Sequence, residues 1–412
     1  MSYMNYRYEP RSSHMPESHK KQKSSVYTIP NPDLVVVEDD KPNWNLPENR
    51  RCAFHHFEKI MRYSIGIRAP LVLPLTRRID RRIGDMPEVR RLTGTTFFSA
   101  MVVVRGSHLL FETYASDFSP EQCHSMQSIT KSVMNLIFGR LVEDGLVDLT
   151  QKVKQYIPEI GSGYAEATVQ QVLDMDVVNN FDENYDASYE FNPENGAPVG
   201  YNREEIALGW RLPPEGEEEF GSREFAASLV SNDITNPTGY TEYRSPNTDV
   251  LGWIAEKATG RAPIALLTEV IEAAGIEGTY HIGLDADGIP QFAGGGCMTA
   301  RDMARYGLLF ARGGRGVNGN NVGSARFIEE TRSGRGTKGL GNRYYRYSNA
   351  TFTNGRWLGH GGYGGQFMLA DPDTGTAVSF FSVLEDQHAF TDDYLPEVTR
   401  CFEEIIDLHI ET

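Results

Sequence analysis

The sequence predicts an α/β protein whose antiparallel sheet, flanked by helices, is built from both chain ends around an inserted, mostly helical domain. Two observations carry this expectation. Residues 96–104 (TFFSAMVVV) and 108–114 (HLLFETY) are apolar, β-prone runs separated by Arg105-Gly106-Ser107, the pattern of a hairpin with a glycine-containing turn. Near the other end, strand-like runs at 342–353, 365–370 and 376–383 precede a helical pattern over about 394–409. Between these ends the pattern turns irregular, with short helical stretches, several aromatics and loops such as Leu212-Pro213-Pro214-Glu215-Gly216. The expected division is therefore 46–147 and 296–412 for the α/β domain and 148–295 for the helical one.

Taken in order, residues 1–45 are polar, rich in Ser, Pro and Lys and without sustained periodicity, and are expected to form a flexible or surface-clasping arm. Cys52–Ile65 (CAFHHFEKIMRYSI) reads as an amphipathic helix. The strongest helix follows Ser128, where Val133, Leu136, Ile137 and Leu141 make one apolar stripe and Gly145 supplies a C-terminal stop. Further helices are expected from near Thr248 (TDVLGWIAEKATG) and over Thr299–Ala311, the latter followed by a glycine-rich connection from Gly313 to Gly323. No internal repeat is visible.

Composition narrows the function. A chain of 412 residues with 40% apolar and 23% charged residues is that of an ordinary globular protein, and a formal charge of −16 argues against nucleic acid or an anionic membrane as a main partner. Cys52, Cys123, Cys297 and Cys401 are scattered, without metal-ligand spacing and too few for a disulfide framework; His55-His56 with Cys52 does not reach a metal-site count. Neither a metal nor a cofactor is expected. The first residues lack the apolar core of a secretory signal, and no run of about 18 apolar residues occurs, so a cytoplasmic location is expected.

Three distant segments carry the chemistry: Ser128-Ile129-Thr130-Lys131, Tyr243-Arg244-Ser245 and His360-Gly361-Gly362. Serine is a poor nucleophile until its proton is removed. Lys131, three residues on, shares a helix face with Ser128, and burial beside a helix N-terminus favours its neutral, basic form. The Ser128 amide at that N-terminus can donate to a developing oxyanion, and the Tyr363 amide is a candidate second donor. Tyr243 is suited to relay a proton to the leaving group, with Ser245 aimed into the same cleft. The glycines of the run Gly359–Gly365 would let a substrate lie along a strand edge. A second match to the first motif, Ser18-His19-Lys20-Lys21, sits in the polar arm without a structural setting. No Gly-x-Ser-x-Gly elbow and no His-Glu-x-x-His is present.

The segment MQSITKSVMNLIFGRLVEDGLVDLTQKVKQYIPEI, with TVQQVLDMDVVNNFDENY, resembles the serine β-lactamase-like superfamily. YRSPNTDVLGWIAEKATG, FAGGGCMTARDMARYG and GGQFMLADPDTG are similar, in order and spacing, to the 6-aminohexanoate-dimer hydrolases and related carboxylesterases of that superfamily. The resemblance spans roughly residues 45–405 and implies a β-lactamase/transpeptidase-like fold. It implies Ser128 as nucleophile, Lys131 as general base, Tyr243 as proton shuttle and the Ser128 and Tyr363 amides as oxyanion donors. His360-Gly361-Gly362 stands where β-lactamases carry Lys-Thr-Gly, and Ser245 where class C enzymes usually have asparagine. Tyr185 matches a tyrosine bordering the cleft of the nylon-oligomer hydrolases, whereas Gly294 replaces an asparagine of that group. The expected activity is hydrolysis of a small-molecule ester or unstrained amide through an acyl-enzyme. An acyltransferase of the same fold and a non-catalytic binding protein are the alternatives, and a homodimer is compatible with either.

Overall fold

The computed structural model describes residues 47–185, 191–193, 196–339, 345–384 and 394–408. The expected arm, residues 1–45, lies outside the described residues.

The chain opens with helix α1 (Pro47–His55), then β1 (Tyr63–Ile67), β2 (Thr76–Arg77), β3 (Phe98–Arg105), β4 (His108–Tyr114) and β5 (His124–Ser125). Helix α2 (Val133–Glu143) follows a 3-10 turn, Gln127–Ser132. The middle of the chain supplies α3 (Gly200–Ala207), α4 (Pro246–Thr259), α5 (Pro263–Ala274), β6 (Tyr280–Leu284), β7 (Gly296–Met298) and α6 (Ala300–Ala311). The C-terminal part supplies β8 (Thr337–Lys338), β9 (Arg346–Ser348), β10 (Thr351–Thr353), β11 (Leu358–Gly362), β12 (Gln366–Asp371), β13 (Thr376–Ser382) and α7 (Tyr394–Asp407).

The large sheet runs β2-β4-β3-β13-β12-β11-β10-β9-β8, so N-terminal β3 lies beside C-terminal β13 with Arg105 opposite Thr376. The expected sheet built from both chain ends is what the fold contains. Among the described strand pairs, only the short β2–β4 pairing is parallel. Every residue of β3 is buried, which requires cover on both faces. Its side chains alternate accordingly: Ala100, Val102 and Val104 join the core that holds α2 and α6, while Met101 and Val103 meet Val398 and Phe402 of α7 on the other face.

A second, four-stranded sheet, β1-β6-β7-β5, was not expected. It also corrects the reading of Cys52–Ile65 as one helix: α1 ends at His55, and Tyr63–Ile67 pairs antiparallel with Tyr280–Leu284. The helical periodicity was outweighed by a pairing partner far away in sequence. Elsewhere the local signals hold. The stripe Val133, Leu136, Ile137 and Leu141 is buried, and Gly145 adopts φ +70° just past α2, where a residue with a β-carbon would be strained. Thr299 caps α6 by accepting a hydrogen bond from the Asp302 amide at 3.1 Å. No described helix is long and apolar enough to cross a membrane.

Candidate active site

The two sheets meet at Ser128. Strand β5 ends at Ser125; the Met126 amide continues the small sheet by donating to the Gly296 carbonyl at 2.8 Å, and the chain then tightens into the 3-10 turn. In a 3-10 helix three residues make one turn, so positions i and i+3 eclipse. Ser128 and Lys131 therefore stand directly in line, and Lys131 Nζ donates to Ser128 Oγ at 3.1 Å. Entry to the turn needs Gln127 at φ +49°, an uncommon conformation for a residue with a side chain. It is held by the Thr130 hydroxyl, which donates to the Gln127 carbonyl at 2.7 Å, and by the Gln127 amide group, which donates to Ser125 Oγ at 2.7 Å.

Lys131 is fully buried, whereas Ser128 keeps partial exposure. Burial pulls the lysine amine below its ordinary range, and the carboxylates of Glu183, Glu204 and Asp249 act against that pull. Lys131 Nζ also donates to the Ala293 carbonyl and lies 5.1 Å from the centroid of the Tyr243 ring. Burial pushes the Tyr243 phenol well above the usual range, with Tyr347 and Glu183 adding to the effect and the Ser128 hydroxyl opposing it. The phenol thus keeps its proton at neutral pH. Lys131 thus lies against both Ser128 and Tyr243, groups read from two segments far apart.

The glycine-rich run packs closely against the serine-bearing turn. Gly361 and Gly362 belong to β11 and are buried, with Gly362 packed against the Ser128 turn: a β-carbon there would lie 2.5 Å from the Met126 carbonyl oxygen. Glycine is required at this position by strand-on-turn packing. The same packing brings Tyr363, next in the chain, to the turn that carries Ser128. Gly362→Ala is expected to destabilise the fold by about 1–3 kcal/mol and to slow covalent labelling of Ser128. Urea unfolding midpoints and labelling rates read this, and unchanged values in both would contradict the packing argument.

Two further expectations need correction. The His360 side chain is not open to solvent: it is 1% exposed, its ring lies 4.8 Å from Phe352 and 5.7 Å from Tyr347, and its Nδ1 lies 2.6 Å from the Gly361 carbonyl. Burial lowers its pKa to about 3, so it is neutral and backs Tyr243, whose ring is 6.3 Å away. Ser245 does not aim a free hydroxyl into the cleft either, because that hydroxyl donates to Glu183 at 2.6 Å. Tyr185 does stand at the site, 5.6 Å from the Tyr363 ring and 5.0 Å from Tyr201, and the three tyrosines form one wall. Gly294 lies against the Trp210 indole, 3.3 Å from where a β-carbon would be. Among the described residues no group of three or more His, Cys, Asp or Glu is placed to hold a metal ion.

Sequence reading missed Glu183 and the Ala293 carbonyl. Glu183 sits in the quoted run NNFDENY, two residues before Tyr185, but a loop glutamate carries no local mark of its role.

The Beta-lactamase family model matches residues 98–396. The chain belongs to the Beta-lactamase family. It is 27% identical to the 6-aminohexanoate-dimer hydrolase of Paenarthrobacter ureafaciens over 91% of this chain and 97% of that one. A proposed 6-aminohexanoate-dimer hydrolase from Bacillus anthracis has the same fold, with a TM-score of 0.72 at 21% identity over 88% of this chain and 95% of that one. A family VIII carboxylesterase superimposes with a TM-score of 0.53 at 17% identity over 83% of this chain and 99% of that one. The relatives of this Beta-lactamase family chain are thus hydrolases of one fold, with amide- and ester-directed names.

Proposed function

We propose that this protein is a serine hydrolase that cleaves a small-molecule ester or unstrained amide through an acyl-enzyme on Ser128. The observation that carries this reading is a buried lysine amine 3.1 Å from a partly exposed serine hydroxyl, beside a protonated phenol. Ser128 Oγ attacks the substrate carbonyl carbon while its proton passes to the neutral Lys131 amine. The Ser128 and Tyr363 amides donate to the oxyanion that forms. Collapse breaks the bond to the leaving alcohol or amine, which takes the proton from the Lys131 ammonium by way of the Tyr243 hydroxyl. Water then gives a proton back along the same path, attacks the acyl carbon, and Ser128 leaves reprotonated.

Ester-type substrates fit this site better than β-lactams. A β-lactam also needs its carboxylate held, and the side chain at the third motif is a buried, neutral histidine rather than an ammonium. Short-chain p-nitrophenyl esters are expected to exceed nitrocefin and benzylpenicillin in kcat/KM by at least about tenfold, equivalent to roughly 1.4 kcal/mol of transition-state preference. Nitrocefin turnover equal to that of the best ester would replace this reading with a true β-lactamase.

A further inference from the structure

We infer that Glu183 is the positioning residue of this site: one carboxylate clasps the Tyr243-Arg244-Ser245 segment and Tyr185 together, and so sets where the proton-carrying groups stand and the pH at which they work. The inference rests on the serine-hydrolase reading above.

The geometry is that of a two-way clasp. Glu183 accepts from the Ser245 amide through Oε2, and from the Ser245 hydroxyl (2.6 Å) and the Tyr185 hydroxyl (3.0 Å) through Oε1. In the opposite direction, the Arg244 guanidinium donates to the carbonyls of Phe181 at 2.8 Å and Val177 at 3.1 Å. The loop before Tyr185 and the segment bearing Tyr243 therefore hold each other on both sides. Arg244 is committed to these carbonyls and to Glu242, its ion pair at 2.9 Å. The Ser245 amide and hydroxyl and the Tyr185 hydroxyl are uncharged donors, and the Glu183 carboxylate also acts electrostatically on its neighbours.

Those neighbours are the reacting groups. Glu183 is the foremost carboxylate opposing the desolvation of Lys131, ahead of Glu204 on α3 and Asp249 on α4. It also helps keep Tyr243 and Tyr185 protonated, and it acts on Tyr201, Tyr347, Glu204 and Asp249. On the far side of Lys131, His360 of β11 is neutral and adds no charge. A carboxylate beside an ammonium favours the charged form, so removing it lowers the pH at which Lys131 becomes a free amine.

The test separates charge from shape. Glu183→Gln is nearly isosteric but loses the charge, and one amide oxygen cannot serve all three donors. With p-nitrophenyl butyrate, its acid limb in kcat/KM is expected to move down by about one pH unit, with kcat on the plateau lower by about tenfold. Glu183→Asp keeps the charge but shortens the reach, so its limb should stay at the wild-type position while the plateau falls. The pH dependence of fluorophosphonate labelling at Ser128 gives the same limb if turnover is too slow to measure. Either of two results overturns the inference: an unmoved limb in Glu183→Gln with the rate reduced equally at every pH, or a limb in Glu183→Asp that moves as far as in Glu183→Gln. Failure of the parent reading looks different, since Ser128→Ala would then remain active whatever Glu183 does.

Discussion

Ser128→Ala is expected to lose on the order of 10³-fold or more in kcat, because the covalent route disappears with the hydroxyl. The fold should tolerate the change: Ser128 is partly exposed, and the 3-10 turn is held by Thr130 and Gln127 rather than by the serine side chain. Intact-protein and peptide mass spectrometry with a fluorophosphonate should find the adduct on Ser128 in the wild type and none in the variant. An adduct on another serine, with Ser128→Ala still turning over esters, would end the assignment.

Substitution of Lys131 is expected to have the next largest effect. Lys131→Ala should lower the acylation rate by about 10²–10⁴-fold, the range expected when a general base is removed. Lys131→Arg should not restore it, because guanidinium keeps its proton near neutral pH and its planar head does not fit a fully buried amine site. The sign of the pH dependence follows from the same burial. The amine pKa is shifted downward, so the free base persists to lower pH than an exposed lysine would allow, and activity is lost on the acid side as Lys131 takes up a proton. That limb belongs to the coupled Lys131–Tyr243 pair rather than to either group alone. Rapid acylation of Lys131→Arg at neutral pH, followed by burst kinetics, would show that lysine is not the base.

Much of the site was legible because its first contact is local. Ser128 and Lys131 are three residues apart, and any tight right-handed turn brings such a pair together, so the motif and the stripe of α2 predict the contact. The hairpin of β3 and β4 was legible for the same reason, through Gly106 and the apolar runs around it. Cys52–Ile65 was misread because Tyr63–Ile67 obtains its hydrogen bonds from Tyr280–Leu284, and nothing in the local pattern reports that partner. Ser245 and His360 stood in motif positions, yet their side chains are committed to Glu183 and to the aromatic layer of Tyr347 and Phe352.

By itself, then, the sequence determined the α/β class, the three-residue spacing of Ser128 and Lys131 just ahead of helix α2, and Tyr243 as the candidate third group. These depend on residue type and short spacing, which are properties of neighbouring positions. The tertiary structure alone decided that β3 lies beside β13, that Lys131 is buried while Ser128 is not, and that Glu183 joins Tyr185 to Ser245. Burial and the charges around an ionisable group are set by segments brought in from elsewhere in the chain. The basicity of Lys131, on which the proposed reaction depends, is therefore a property of the packed molecule and not of the motif.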